Sequence, residues 1–99
     1  LKGSFYYSIK KIIRLEGEGN YTRIYFEKDK PLLASKTLKD FEELLITHGF
    51  IRVHRSHLIN KVFVGSVLFD GFIEMTDKSK IEISRRRKEA VMQQLNEKG

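Results

Sequence analysis

The residues with the clearest chemical potential form a basic segment near the middle of the chain. No aspartate or glutamate occurs across residues 44–69, where cationic and hydrogen-bonding side chains alternate with apolar ones. Arginine suits bidentate contact with guanine, asparagine suits adenine, and lysine or serine suits phosphate. The segment therefore predicts a polyanion-binding surface, with an inert solvated surface as the alternative. Its polar members within residues 50–64 are Arg52, His54, Arg55, Ser56, His57, Asn60 and Lys61.

A second basic cluster opens the predicted C-terminal helix. Ser84 is followed by three arginines and a lysine, which are Arg85, Arg86, Arg87 and Lys88. Cations at a helix N-terminus oppose the helix dipole, whereas a bound phosphate is attracted by both the dipole and the arginines. The cluster therefore favours contact with nucleic acid. The alternative is an exposed patch neutralised by Glu82 or Glu89.

An acidic, glycine-rich loop at residues 16–20 precedes a third group of polar residues. Its two glycines permit a tight protruding turn. It lacks the third glycine and the lysine of phosphate-binding loops, which excludes a nucleotide site of that kind. Asn20, Thr22 and Arg23, at the exit of the loop, are the side chains available for binding.

Catalytic and metal chemistry find little support. His54 and His57 have no carboxylate or thiol nearby in the sequence, and their spacing on a strand or turn predicts rings on different faces. No Ser-His-Asp pattern or carboxylate pair is visible. We expect no catalytic residue, no metal site, no cofactor and no enzymatic activity.

Length and composition predict one domain spanning residues 1–99, with its core at about residues 9–90. The net charge of +6 and pI near 9.7 favour nucleic acid as the partner. The chain has no cysteine, no apolar run of about 20 residues and no signal peptide, so we expect a cytoplasmic location and no membrane partner. Because it begins at Leu1 and not at methionine, we expect a piece of a longer protein.

Alternating apolar residues predict a mainly β fold with many hairpins. Strands are expected at residues 9–15, 21–26, 32–35, 58–64, 66–69, 72–75 and 80–83. Thr37 and Asp40 have the spacing of a capping box, and Gly49 is placed to end the helix that follows. Leu38, Phe41, Leu44 and Leu45 should share its buried face. A second helix is expected over residues 84–95, with Val91, Met92 and Leu95 as its apolar stripe.

Three stretches, residues 12–22, 37–42 and 50–60, carry a family resemblance. The last has the pattern F-I-R-x-H-R-S-x-L-x-N. Together they resemble the LytTR DNA-binding domain of bacterial response regulators, the LytR/AlgR-type transcriptional regulators, over about residues 9–90. Residues 1–8 match the usual first strand of that family poorly.

The resemblance implies an elongated, antiparallel β fold of small sheets, with one short internal helix and a C-terminal helix. It implies sequence-specific binding to duplex DNA, through loops that enter successive major grooves. Members commonly bind direct repeats as pairs, which leaves a homodimer on DNA as an option. They usually follow a receiver domain that answers to a sensor kinase.

The resemblance also implies roles for individual residues. Base contacts are expected from Thr22, Arg55 and Arg86. Supporting or phosphate contacts are expected from Asn20, Tyr21, Arg23, Arg52, His54, Ser56, His57, Lys61, Ser84, Arg85, Arg87 and Lys88.

Two other functions fit the same chain. A single-stranded nucleic-acid binder would stack bases on Tyr6, Tyr7, Tyr21, Tyr25 or Phe63. A protein-interaction module would use residues 5–7 or the C-terminal helix.

Overall fold

Alternating apolar residues in the first two thirds of the chain build an antiparallel sheet. The computed structural model describes residues 8–97, and within that range this first sheet has five strands in the order β3-β2-β1-β5-β4. They are β1 (Ile12–Glu18), β2 (Tyr21–Phe26), β3 (Leu32–Ala34), β4 (Phe50–His54) and β5 (His57–Asn60). The predicted strand at residues 9–15 begins only at Ile12, because a 3₁₀ turn occupies Ile9–Lys11.

A smaller sheet follows, with three strands among the described residues: β6 (Val64–Val67), β7 (Phe72–Met75) and β8 (Lys80–Glu82). The predicted hairpin at Asp70-Gly71 is confirmed, and Gly71 adopts a φ of +84°, which suits glycine. Strand β6 ends at Val67 instead of Phe69. The side chain of Phe69, at the tip of the hairpin, is fully exposed.

Helix α1 spans Leu38–Leu45, and its predicted capping box is confirmed. The Thr37 hydroxyl accepts from the Asp40 backbone N–H at 3.2 Å, and the Asp40 carboxylate accepts from the Thr37 N–H at 3.4 Å. A 3₁₀ turn at Ile46–His48 extends the helix, and Gly49 ends it with a φ of +82°. Leu44 is 60% exposed. Its predicted burial is wrong, because six residues turn a helix by about 240° from the face that Leu38 occupies.

Helix α2 spans Lys88–Asn96, and a 3₁₀ turn at Arg85–Arg87 precedes it. The helix predicted over residues 84–95 therefore exists, but its first turn is a 3₁₀ turn. Val91 is buried, Leu95 packs against the core and Met92 is partly buried, as the apolar stripe predicts. No helix within residues 8–97 is both long and apolar enough to cross a membrane.

The predicted strand at residues 58–64 is interrupted at Asn60. The Asn60 amide donates to the Ile12 carbonyl at 2.9 Å, and its oxygen accepts from the Val62 N–H at 3.1 Å. A 3₁₀ turn at Lys61–Phe63 follows. Asn60 is therefore the last residue of β5 and caps the turn that follows.

The first sheet has a hydrophobic core on each face. We call the core between the two sheets the inter-sheet core; it contains Ile13, Ile51, Val53, Ile59, Phe63, Ile73, Met75, Ile81, Ile83 and Val91. We call the other, under α1, the helix-side core; it contains Ile12, Leu15, Ile24, Phe26, Leu38, Leu45, Phe50 and Leu58. The molecule measures 45 × 25 × 23 Å. The elongated, mainly antiparallel β fold is confirmed.

Candidate nucleic-acid interface

Two turns of the first sheet lie side by side at one end. Glu16 of β1 is paired with His57 of β5, and the Gly17 N–H donates to the Ser56 carbonyl at 2.9 Å. This register places the β1–β2 turn at Gly19-Asn20 next to the β4–β5 turn at Arg55-Ser56. Two of the three predicted contact regions are thus neighbours.

The third region joins them through β4. The Ser84 N–H donates to the Val53 carbonyl at 2.8 Å, which fixes the start of the C-terminal segment against the β4–β5 hairpin. One pocket is lined by His54, Arg55, Ser84, Arg86 and Arg87. A second is lined by Gly17, Gly19, Thr37, Leu38, Lys39, Arg52, Arg55 and Ser56. We call the surface around these two pockets the basic end; Arg55 lines both of them.

Several cations at the basic end have side chains without a partner among the described residues. The side chains of Arg55, Arg85, Arg86 and Lys88 are exposed, and none makes a hydrogen bond or ion pair within the described part of the chain. Arg87 is half-buried and is likewise unpaired within residues 8–97. Unpaired, exposed arginines keep all their donors available for phosphate or base edges.

Lys39 belongs to this surface, and the sequence reasoning missed it. It is exposed on the first turn of α1 and lines the pocket between the two turns. A signal was available, because Lys39 places a cation at the positive end of a helix dipole. The same argument drew attention to the cluster at residues 84–88.

The side chain of Arg52 is hydrogen-bonded within the protein. Its Nε donates to the His54 carbonyl at 2.8 Å, its Nη1 to Glu42 Oε1 at 2.6 Å, and its Nη2 to the Arg55 carbonyl. Three of its N–H donors are therefore bonded within the protein, and the phosphate contact expected of Arg52 stays a prediction.

Arg23 is also paired. Its guanidinium donates two hydrogen bonds, of 2.6 and 3.4 Å, to the Glu18 carboxylate across the β1–β2 hairpin. The hydrogen bond from Arg23 holds the pKa of Glu18 below its ordinary value, and the same bond raises the pKa of Arg23. Asn20 and Tyr21 are exposed beside this pair.

Thr22 is not presented at the surface of this structure, and the base contact expected of it stays a prediction. Its side chain is fully buried, and its hydroxyl donates to the Lys36 carbonyl at 2.7 Å. The cause is the alternation of β2, in which Thr22, Ile24 and Phe26 all point inward.

Lys61 lies away from the basic end. It follows β5 at the end of that strand remote from the Arg55-Ser56 turn, and its N–H donates to the Gly49 carbonyl at 3.1 Å. Its ammonium donates to the Glu97 carbonyl at 2.6 Å. The structure therefore does not bring Lys61 together with the other expected contacts.

His54 and His57 meet beneath the turn, with ring centroids 5.2 Å apart. The prediction of different faces is wrong, because an irregularity between Arg52 and His54 shifts the β4–β5 register and sets His54 opposite His57. His54 Nδ1 accepts from the Ser56 N–H at 3.1 Å, and its Nε2 lies 3.8 Å from Glu82 Oε1. Across residues 8–97, no three His, Cys, Asp or Glu side chains gather closely enough to hold a metal ion.

His57 and Ser84 each keep one buried polar atom, His57 Nδ1 and Ser84 Oγ, without a partner in the described region. Burial lowers the pKa of His57. Both residues are half-buried, so each exposes only part of its side chain.

Of the three proposed stacking platforms that the structure describes, two are covered. Phe63 belongs to the inter-sheet core, and Tyr25 lies beneath Arg14, whose guanidinium carbon is 3.8 Å from the centre of the ring. Tyr21 is half exposed. Tyr6, Tyr7 and the segment at residues 5–7 lie outside the described residues.

A model of the LytTr DNA-binding domain matches residues 2–96 of the chain. The match is longer than the stretch of about residues 9–90 over which the motifs carry the resemblance.

Two proteins of Paraburkholderia xenovorans (strain LB400) are similar in sequence. They are the heme-containing CO-sensing transcriptional regulators RcoM 2 and RcoM 1, which are 32% and 31% identical over 84 residues. Each alignment covers 80% of this chain and 31% of the relative. The chain thus spans about a third of the length of these relatives.

A solved structure has the same fold. It is the LytTr DNA-binding domain from a Bacillus cereus protein described as a methyl-accepting/DNA response regulator. The TM-score is 0.80 at 23% sequence identity, with 89% of this chain and 84% of that chain covered.

Proposed function

Because this chain belongs to the LytTr DNA-binding domain family, we propose that it recognises specific sequences in duplex DNA and so regulates transcription. The observation that carries the proposal is the position of Arg55. It lines both pockets of the basic end and stands between the β1–β2 turn and the C-terminal cluster. A binding family of this kind also supports the expectation that the chain is not an enzyme.

The unpaired arginines are the proposed readers of sequence. Arg55 and Arg86 would contact base edges, since a free guanidinium matches guanine O6 and N7 bidentately. Phosphate contacts are proposed for Lys39, Arg85, Arg87 and Lys88, and a supporting contact for Asn20. The loops that carry these residues would enter successive major grooves on one face of the duplex. The elongated shape, 45 Å along its longest axis, supports that arrangement.

We propose further that the chain is the output domain of a longer regulator. A receiver domain under a sensor kinase remains our proposal for the input, and pairs of domains on direct repeats remain our proposal for assembly. The relatives are named as heme-containing and CO-sensing, so a heme-based sensor is the second candidate for the input. Two measurements on the full-length protein distinguish these inputs. Transfer of a phosphoryl group to it indicates a receiver domain, whereas a heme absorption band indicates a heme-based sensor.

The test starts by selecting a target from a pool of randomised duplexes with the wild-type chain. Fluorescence anisotropy then compares the selected duplex with a scrambled duplex and with each single strand. We expect preference for the selected duplex, and we expect Arg55→Ala to reduce that preference by about 1–3 kcal/mol.

A matched control is Lys30→Ala, which removes one positive charge in the exposed β2–β3 turn, at the end of β2 remote from the basic end. It should leave the preference unchanged. Equal affinity for selected, scrambled and single-stranded DNA would contradict the proposed function.

A further inference from the structure

The guanidinium of Arg52 lies inside the β4–β5 turn. Its side chain is only 14% exposed, and each of its three nitrogens donates a hydrogen bond to the protein. Two of the acceptors are main-chain carbonyls, those of His54 and Arg55, which lead into the turn and belong to it. The third is the carboxylate of Glu42 on α1.

These bonds lie next to a break in the strand ladder. The β4–β5 register shifts between Arg52 and His54, so the bulged residue Val53 turns its carbonyl to the Ser84 N–H. A bulge leaves local backbone groups without ladder partners. Arg52 supplies donors to two carbonyls just beyond the bulge.

Glu42 fixes the guanidinium from the opposite side. It lies on α1, whose start is held by the Thr37–Asp40 capping box, and its carboxylate is 2.6 Å from Arg52 Nη1. The plane of the Arg52 group is thus set by a helix and by a turn together. A lysine has no such planar fork and cannot hold all three acceptors in one geometry.

We infer that Arg52, anchored by Glu42, is a positioning residue for the base-reading turn, which sets sequence specificity through Arg55 without contacting DNA itself. The inference rests on the proposed function. It differs from the phosphate contact that residue type alone predicts, because three of the five guanidinium N–H groups are bonded within the protein and the side chain is only 14% exposed.

The test uses Arg52→Lys, which keeps the charge, and Glu42→Gln, which keeps the shape and removes the anchor. For each variant, affinity is measured for the selected and scrambled duplexes over a range of salt concentrations. We expect the ratio of the two affinities to fall by about tenfold. For Arg52→Lys, affinity for the scrambled duplex and the dependence of log K on log salt should stay as in the wild type, because no phosphate contact is lost.

Amide exchange in the free protein supplies a readout independent of DNA. The N–H groups of Arg55 and Ser56 should exchange faster in both variants, while those of the inter-sheet core keep their protection. The control is Arg14→Lys. Arg14 is similarly buried and paired with Glu16, but it donates to Ser79 and not to the turn. It should leave discrimination unchanged.

Two results would overturn the inference. Full discrimination by folded Arg52→Lys and Glu42→Gln would show that the turn needs no such support. A third variant, Arg52→Gln, removes the positive charge. If the slope of log K against log salt fell by about 0.9 in this variant, Arg52 would be in direct contact with a phosphate. Failure of the proposed function looks different, since the wild-type chain itself would then show no preference for any duplex.

Discussion

Individual arginines in this domain have two kinds of surroundings. Arg14, Arg23 and Arg52 are bonded to carboxylates or carbonyls of the protein, whereas Arg55 and Arg86 are exposed and unpaired within the described residues. The chemistry of the guanidinium is the same in both sets. Its partner decides whether it stabilises the fold or remains available to DNA.

Arg86 and Lys88 should therefore respond differently to truncation. We expect Arg86→Ala to cost about 1–3 kcal/mol on the selected duplex and to relax sequence preference. Lys88→Ala should weaken binding to all sequences alike and lower the salt slope by about 1. Anisotropy titrations on selected and scrambled duplexes measure both. An Arg86→Ala variant with unchanged specific affinity would remove Arg86 from the base-reading set.

His57 makes folding stability depend on pH. Burial lowers its pKa in the folded state, so the unfolded chain binds more protons as pH falls below the ordinary histidine value. This contribution to stability is present at neutral pH and is lost on acidification. Urea unfolding at about pH 5 and about pH 7 should show a weaker loss for His57→Phe than for the wild type. Equal pH dependence in both proteins would contradict this assignment.

Residue type predicted which side chains could touch DNA, whereas the fold decides which of them lie at the surface. Thr22 stands beside the correct loop, yet the alternation of β2 buries it. Arg52 finds Glu42 ten positions earlier in the chain, on a different element, which no local pattern reveals. Arg55 and Arg86 stay our proposed base contacts; they lie in a turn and at a helix entry, and both are exposed.

At the scale of elements, α1 depends on its first turn. An eight-residue helix is too short to be stable by itself, so its cap matters. We expect Thr37→Ala to lower the free energy of unfolding by about 1 kcal/mol. The control is Thr47→Ala, in the exposed 3₁₀ turn that follows the helix, which should have little effect. Chemical denaturation measures the free energy of unfolding of both variants. Equal losses in the two would mean that the capping box does not stabilise the protein.

The elements that sequence predicted well are those with a local chemical cause. The Thr37–Asp40 capping box, the left-handed Gly49 and the turn at Asp70-Gly71 each follow from a few adjacent residues. The 3₁₀ turn at Lys61–Phe63 has a different origin. It depends on the bond between the Asn60 amide and the Ile12 carbonyl, 48 positions away, so periodicity alone extends the strand too far.

At the scale of the molecule, the inter-sheet core joins the two sheets and α2 into one unit. Ile13, Ile73 and Val91, from the first sheet, the second sheet and α2, meet in it. We expect Ile73→Ala, at a fully buried position, to cost about 2–5 kcal/mol and to destabilise both sheets together. Val67→Ala, on the exposed edge of β6, should cost far less. Separate unfolding transitions for the two sheets, seen by amide exchange, would contradict a shared core.

The order of the elements along the chain limits when the basic end can form during synthesis. Arg14 of β1 lies opposite Ile59 of β5, and Ile59 belongs to the same inter-sheet core as Val91. A ribosome that has made only the first half of the domain has therefore released β1 and β2 but neither the turn that carries Arg55 nor the helix that completes the core. The basic end is therefore complete only after β4, β5 and the C-terminal cluster have all been synthesised.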